Sequence, residues 1–99
     1  MKKITLAALL LIPTAASANL SYDCNYHAAY AGSYFDSHHK GIPEEEVAGT
    51  IQMDSNFTER DKLFHLHLLN MIYDDTYPNE EISRTVAFSI CQNLKQYNF

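Results

Sequence analysis

The chain has 99 residues, of which 46% are hydrophobic, and it carries a formal net charge of −5 with its histidines neutral. A chain of this length and composition supports one domain with a modest core. The acidic charge argues against nucleic acid as a partner, because it repels the phosphate backbone, and it favours a protein with a basic surface.

Residues 1–18 have the order of a secretory signal peptide: two lysines, an apolar run from Ile4 to Ile12, and small residues that end in Ala16-Ser17-Ala18. The run is shorter than the roughly 20 residues that span a bilayer, so we expect cleavage after Ala18 and no membrane anchor afterwards. The prediction is a periplasmic or secreted protein with a single helical domain over residues 19–99. Its formal charge would be −7, because five of the seven basic side chains remain against all twelve acidic ones.

Cys24 and Cys91 are the two cysteines of the chain, and they lie near the two ends of the predicted domain. An exported compartment is oxidising, so an even pair of cysteines there indicates one disulfide bond. Small domains often need such a link, and closing this loop would stabilise the fold by roughly 4 kcal/mol. We therefore predict a bridge between Cys24 and Cys91; the alternative is two unpaired buried thiols.

Apolar residues recur at helical spacing in four segments, and no segment alternates as a strand would. The predicted fold class is therefore all-α, a small bundle of about four helices stapled by one disulfide. The helices are expected at about Tyr22–Lys40, Pro43–Met53, Asn56–Tyr73 and Pro78–Gln96.

The first predicted helix has an apolar stripe at three- and four-residue steps, and its small side chains, including Gly32, would let another helix approach closely. The stripe consists of Cys24, Ala28, Ala31 and Phe35, with His27, Tyr34 and His38 at its margins; Tyr26, Tyr30 and Tyr34 form a second row. The second helix offers two apolar contacts, Val47 and Ile51.

The third predicted helix is apolar over most of its circumference, so we expect it to be the central helix of the bundle. Asn56 followed by Glu59 three residues later is typical of a helix N-terminal cap. The narrow polar arc of this helix holds Arg60, His67, Asn70 and Asp74.

The last predicted helix follows a break at Asp75–Pro78 and presents one half of its surface to the core. Cys91 lies at the edge of its apolar stripe, where a bond to Cys24 would clamp the last helix against the first. The stripe consists of Ile82, Val86, Ala87, Ile90, Cys91 and Leu94.

The densest cluster of ionisable groups is the segment 36–47, DSHHKGIPEEEV. Residues 38–40 place positive charge in the last turn of one helix, and residues 44–46 place negative charge in the first turn of the next, which is favourable at both ends. Gly41 is positioned to adopt a positive φ. The pattern favours a helical corner over a metal or proton site. The segment Tyr77–Ile82 resembles this corner, so a duplication of the helical hairpin is one explanation. The other is independent origin, because proline followed by acids is common at helix starts.

Five histidines invite a metal hypothesis, but their spacing opposes it. His65 and His67 lie about 200° apart on a helix, and the adjacent His38 and His39 diverge by about 100°, so neither pair can chelate one ion. His65 falls in the apolar arc and is a candidate pH-sensitive residue, because a buried imidazole is neutral and charging it would disturb the packing. The simpler interpretation is a core histidine bonded to a backbone carbonyl or a tyrosine hydroxyl.

Catalytic chemistry has little support in the sequence. No serine lies in a nucleophile-elbow or S-x-x-K context, and both cysteines are assigned to the bridge. No phosphate, calcium or dinucleotide motif is present. We therefore predict a protein that is not an enzyme, with no catalytic residue, no metal site and no cofactor.

The chain resembles a class of small uncharacterised signal-peptide-bearing helical proteins of proteobacteria and their phages. The likeness rests on three segments, Tyr22–Cys24, Gly41–Glu44 and Phe88–Cys91, and it covers most of residues 22–94. This class implies no general activity. More faintly, the chain is similar to the periplasmic acid-stress chaperones of the HdeA and HdeB type, which are short, exported and helical with one disulfide, although its two cysteines enclose more chain than theirs do.

The leading hypothesis is an exported, non-catalytic protein that binds or inhibits another protein, such as a cell-wall hydrolase or a toxin. Seven tyrosines support it, because each brings an apolar face and a hydroxyl to a recognition surface, although the same residues could complete a small core. The alternative is an acid-activated periplasmic chaperone, since below about pH 3 neutral carboxylates and charged histidines would leave a positive, loosened chain. The sequence leaves the partner and the oligomeric state open.

Overall fold

The computed structural model describes residues 20–97, so the predicted signal peptide, residues 1–18, lies outside the described residues. The described part contains four α-helices: α1 (Cys24–His39), α2 (Glu44–Gln52), α3 (Glu59–Tyr73) and α4 (Glu80–Gln96). Residues 20–97 include no strand. The predicted all-α fold class and the bundle of four helices are confirmed.

Three of the helices begin one or two residues later than expected, because other residues act as their caps. Asp23 is the N-cap of α1, and its side chain accepts a first-turn backbone N–H at 3.0 Å. Tyr22 has a φ of 64°, which no right-handed helix contains, so the predicted start there is wrong. Pro43 occupies the N-cap position of α2, and Pro78 precedes Asn79, the N-cap of α4.

A capping box starts α3, two residues beyond the predicted cap. The Thr58 hydroxyl accepts the N–H of Asp61 at 3.1 Å, and the Asp61 carboxylate accepts the N–H of Thr58 at 2.9 Å. The predicted cap of Asn56 with Glu59 is wrong, because Glu59 is the first residue of the helix itself. The N–H of Asn56 instead bonds to the Asp54 side chain in the preceding turn, at 2.9 Å.

The central helix of the bundle is α1, which contacts each of the other three helices and packs most extensively against α4. The helix α3 packs against α1 and α2 but makes little contact with α4. The expectation that the third helix would be central is therefore wrong. Its apolar circumference is not all covered, since Leu63 remains 60% exposed.

The predicted disulfide between Cys24 and Cys91 is confirmed, with a Cα–Cα distance of 5.6 Å and 67 positions between the two residues. The buried residues of α4 are Ser83, Ala87 and Cys91, which recur every four residues along one face. Cys91 thus lies on the buried stripe and not at its edge, while Ile82, predicted to be in the stripe, is 38% exposed. Small side chains occupy this face because they let two helices approach closely.

Gly32 on α1 marks a second close contact with α4, as its small size predicted. A Cβ atom at this position would lie 3.0 Å from the Arg84 guanidinium nitrogen, so the Arg84 side chain lies directly over the glycine. Since Cys24 meets Cys91 and Gly32 meets Arg84, α1 and α4 run antiparallel.

The corner after α1 has the predicted geometry. Gly41 has a φ of 81°, its N–H bonds to the His38 carbonyl at 3.1 Å, and the N–H of Ile42 bonds to the Ser37 carbonyl at 3.0 Å. These two bonds satisfy carbonyls that a helix end leaves open. The same pattern ends α3, where Asp75 takes the left-handed conformation with a φ of 59°.

One hydrophobic core unites the four helices, and it includes the two α2 contacts that were predicted. None of the helices within residues 20–97 is both long and apolar enough to cross a membrane. The buried hydrophobic residues are Leu20, Cys24, Ala28, Ala31, Tyr34, Val47, Ile51, Phe57, Phe64, Leu68, Leu69, Ile72, Ala87 and Cys91.

Candidate functional site

A chain of hydrogen bonds runs through the core between α1, α3 and the three residues before Asp23. We call residues 20–22 the strap, and we call the chain of Tyr34, His65, His27 and the Ser21 carbonyl the histidine array. Tyr34 and His27 lie about two turns apart on α1, while His65 projects from α3. Both imidazoles are fully buried, and Tyr34 is 5% exposed.

The histidine array has a fixed direction, because the Ser21 carbonyl can only accept a hydrogen bond. Nε2 of His27 lies 2.5 Å from this oxygen and must donate to it, which leaves Nδ1 of a neutral His27 as an acceptor. Nε2 of His65, 2.7 Å from Nδ1 of His27, therefore donates. The bare Nδ1 of His65 then accepts from the Tyr34 hydroxyl at 2.6 Å. The hydrogen-bond network thus assigns the tautomer of both histidines.

Burial keeps the array uncharged. The pKa of His65 falls from 6.5 to about 3, mainly through desolvation and then through the nearby His27, with Asp61 opposing the shift. Desolvation also lowers the pKa of His27, although its bond to the Ser21 carbonyl and the proximity of Asp61 favour the charged imidazole. Burial raises the pKa of the Tyr34 hydroxyl. All three side chains are therefore neutral near neutral pH.

Aromatic rings surround His65. The centroid distances from its imidazole are 4.6 Å to Phe57, 5.2 Å to Tyr30, 5.6 Å to Phe64 and 5.7 Å to Tyr34. Such an apolar environment offers a charge little solvation, which is the physical cause of the lowered pKa of this imidazole.

Asp61 holds the strap against α3. Its carboxylate accepts the N–H of Ser21 at 2.9 Å and the Ser21 hydroxyl, in addition to the N–H of Thr58 in the capping box. The side chain is fully buried, and its Oδ1 lies 3.8 Å from Nε2 of His27. Ser21 is thus bonded through its N–H and hydroxyl to α3 and through its carbonyl to α1.

Ser21, His27 and Asp61 are the residue types of a catalytic triad, but their contacts differ from those of a triad. The Ser21 hydroxyl donates to Asp61, while His27 donates to the backbone carbonyl of Ser21. A nucleophilic serine instead needs an imidazole nitrogen at its hydroxyl and an open path to the substrate. In this arrangement the cluster holds the strap against α1 and α3.

Three tyrosines on the outer side of the strap and α1 have their rings in contact, and we call Tyr22, Tyr26 and Tyr30 the tyrosine surface. The Tyr22 and Tyr26 ring centroids are 4.2 Å apart in a stacked pair, and those of Tyr26 and Tyr30 are 5.2 Å apart edge to face. Tyr22 is 43% exposed, and the other two are half-buried. The Lys95 ammonium donates to the Tyr22 carbonyl, and the Tyr22 hydroxyl lies 3.4 Å from the Asn56 carbonyl. The Lys95 contact holds the Tyr22 backbone, and the stacked Tyr26 ring supports the exposed Tyr22 side chain.

The ionisable corner at residues 36–47 joins the ends of α1 and α3. His38 Nε2 lies 2.9 Å from Asp75, and the Tyr73 hydroxyl donates to the Ile42 carbonyl at 2.6 Å. The cluster therefore has the structural role that the sequence favoured.

The burial of one member of the array, His65, was predicted from the sequence, whereas the roles of His27 and Asp61 in the site were not. His65 is buried as predicted and bonds to a tyrosine hydroxyl, whereas His27, placed at the margin of its helix, is fully buried. Asp61 was not singled out, although threonine three residues before an acid is a capping signal that could have found it. His67 is exposed, as its polar arc predicted. Within residues 20–97, no three His, Cys, Asp or Glu side chains are grouped to hold a metal ion.

Comparisons with protein-family models, with curated proteins and with solved structures found no match to this chain. The roles of the histidine array and of the tyrosine surface therefore rest on their own chemistry.

Proposed function

We propose that this chain is an exported, non-catalytic protein that binds another protein through the tyrosine surface. The observation that carries the proposal is the stacked pair of Tyr22 and Tyr26, with ring centroids 4.2 Å apart and Tyr22 43% exposed. Tyrosines suit recognition because they offer a large apolar face and a hydroxyl with few rotatable bonds. Rings that are already fixed lose less conformational entropy when a partner arrives.

A basic partner fits this surface best. Asp23 caps α1 next to Tyr22, and Asp54 lies close enough to Tyr26 to help raise the pKa of that phenol, after its hydrogen bond to Tyr30 and its burial. A lysine or arginine of the partner would stack on the rings and pair with the acids. An inhibitor of a basic cell-wall hydrolase or toxin is the corresponding biological role.

The burial of the histidines supports binding without catalysis. A catalytic imidazole must come within hydrogen-bond distance of its substrate. His27 and His65 are fully buried and already bonded at both ring nitrogens, so neither is free to meet a substrate in this conformation.

The test is a comparison of Tyr22→Ala combined with Tyr26→Ala against Leu63→Ala, a matched control that removes an exposed apolar side chain from α3. Each full chain is expressed in a bacterium, fractionated to establish export, cross-linked in the cell and purified at low salt. The identified partner is then purified, and its affinity is measured by calorimetry.

We expect the tyrosine variant to bind at least about tenfold more weakly, the Leu63→Ala variant to bind as the wild type does, and all binding to weaken as salt increases. Undiminished binding by the tyrosine variant would contradict the assignment of the surface. Failure of the wild type to retain any partner at low salt would remove the support for a binding function.

The second candidate is an acid-activated chaperone, which the buried pair of His27 and His65 favours. Imidazoles that are neutral in the fold and charged when exposed make acid destabilising, so a loosened chain would offer its apolar core to a client. Light scattering of an aggregating client at about pH 2, with near-UV circular dichroism in parallel, tests this function. A protein that keeps its near-UV signal and protects no client would eliminate it.

A further inference from the structure

The histidine array can take up one proton while each of its three contacts remains hydrogen-bonded. A proton on Nδ1 of His27 turns this atom from an acceptor into a donor toward His65. Nε2 of His65 must then accept, so His65 carries its own proton on Nδ1 and donates from there to the Tyr34 oxygen. Two bonds reverse, and the bond from His27 to the Ser21 carbonyl persists and becomes charge-assisted.

Existing hydrogen bonds supply the path for this reversal. Tyr34 is 5% exposed and lines a groove of about 260 Å³ with Ser33, Ser37 and Glu46, so the array comes nearest to the surface at this residue. A proton from water that reaches the Tyr34 oxygen displaces the hydroxyl proton to Nδ1 of His65. The Nε2 proton of that ring then passes to Nδ1 of His27. One proton enters the array and one positive charge remains on His27, so the transfer balances.

The charged groups around His27 and His65 favour His27 as the residue that finally carries the positive charge. Asp61 on α3 lies 3.8 Å from His27 and Asp23 beside α1 also favours a charged imidazole, while Lys95 on α4 opposes it. His65 is enclosed by aromatic rings and lies next to His27, whose charge disfavours a second one. Other titratable groups that face the array are Tyr22, Tyr26, Tyr30 and Asp54.

A second proton does not fit this geometry. With both rings charged, the two nitrogens at the 2.7 Å contact between His27 and His65 are both donors, and two like charges adjoin in a dry environment. The contact must break. Because it joins α1 to α3, its loss weakens the attachment of these two helices to each other, whereas the disulfide still holds α1 to α4.

We propose that the histidine array is a two-step proton relay, in which a first proton reverses the hydrogen bonds within an intact fold and a second opens the contact between α1 and α3. This inference concerns the conformation of the chain itself. It stands or falls independently of whether the tyrosine surface binds a partner.

The first step is tested by nuclear magnetic resonance of the ring nitrogens in the ¹⁵N-labelled, disulfide-bonded wild type, titrated downward from neutral pH. We expect both histidines to carry their proton on Nε2 at the start. After the first proton, His27 should be doubly protonated and His65 protonated on Nδ1, with the folded amide spectrum unchanged. If His65 keeps its Nε2 proton until the chain unfolds, or charges before His27, the relay is refuted.

Replacement of Tyr34 by phenylalanine removes the acceptor that the reversed array needs at Nδ1 of His65. A buried N–H without an acceptor is more costly than a bare lone pair, so the first protonation of Tyr34→Phe should move about one pH unit or more toward acid. Tyr77→Phe, which alters a half-buried tyrosine outside the array, is the matched control and should titrate as the wild type does. Identical titration of both variants would overturn the proposal.

The second step is tested by amide hydrogen exchange of the oxidised wild type at decreasing pH. We expect the amides of α3 to lose protection before those of α1 and α4, because the disulfide still joins the latter two. Loss of protection at the same pH in all four helices would refute the selective opening.

Discussion

Replacement of Asp61 by alanine should detach the strap and bring the fold close to unfolding. The carboxylate accepts three hydrogen bonds, two from Ser21 and one from the N–H of Thr58, and a methyl group can accept none of them. A hydrogen bond to a charged group contributes roughly 1.5 kcal/mol or more, so three of them amount to about 4.5 kcal/mol. Small domains are stable by only about 5–15 kcal/mol, which makes this loss a large fraction of the total.

The free energy of unfolding is measured by urea titration with far-UV circular dichroism, with the disulfide intact. Asp61→Asn keeps one carboxamide oxygen and should lose about half as much, roughly 2 kcal/mol. Asp36→Ala is the control, because it removes a half-exposed acid whose pair with Lys40 contributes little, and its midpoint should hardly change. A loss below about 1 kcal/mol for Asp61→Ala would refute the assignment of the strap's attachment to this carboxylate.

Reduction of the disulfide should lower the free energy of unfolding by about 4 kcal/mol, and Cys91→Ser should reproduce this loss; a deficit in the variant alone would point to packing and not to the link. The free energy of unfolding should decrease as the pH falls from about 6.5 toward 3, because His65 is protonated in the unfolded chain over this range but stays neutral in the folded one. The slope is up to about 1.4 kcal/mol per pH unit for each such imidazole. The comparison is made between about pH 6.5 and pH 5, where most carboxyl groups do not titrate. There, His65→Gln should reduce the dependence of the free energy of unfolding on pH, whereas His67→Gln, at an exposed position, should leave it unchanged. Equal pH dependence in the two variants would contradict the burial argument. Gly41→Ala should cost about 1 kcal/mol because its φ is 81°, whereas Gly49→Ala, which meets open space within α2, should be neutral or stabilising in the same urea assay. Equal stabilities of the two alanine variants would show that the left-handed conformation is not required.

The features that the sequence predicted are those that neighbouring residues determine. The left-handed turn at Gly41 and the burial of Val47 and Ile51 follow from local chemistry and helical periodicity. Which helix is central depends on contacts between residues that are distant in the sequence. Helical periodicity also takes no account of the size of a side chain. Of the three buried residues of α4, Ala87 and Cys91 were in the predicted stripe and Ser83 was missed, because a serine suits this face by its small volume and not by hydrophobicity.

In the candidate site, too, the features set by neighbouring residues could be predicted and those set by distant contacts could not. Burial of His65 could be predicted from its angular position among apolar residues, since that position depends only on its own helix. Its pairing with His27 could not, because it depends on the register between α1 and α3, whose contacts lie 38 positions apart in the sequence. Asp61 has the sequence context of an ordinary solvated acid in a first helical turn. Its burial arises from the return of Ser21 across that turn, which no local pattern encodes.

The large interface between α1 and α4 joins residues that are far apart in the chain, with Cys24 and Cys91 separated by 67 positions. Helical proteins usually fold quickly because their contacts are local, and here the principal contact is not. At roughly 5–20 residues per second, synthesis leaves the first helix without its partner for several seconds after it emerges. During that interval the Cys24 thiol has no Cys91 with which to bond. Docking of the last helix should therefore be the late step of folding, and it is this step that brings Cys91 within bonding distance of Cys24.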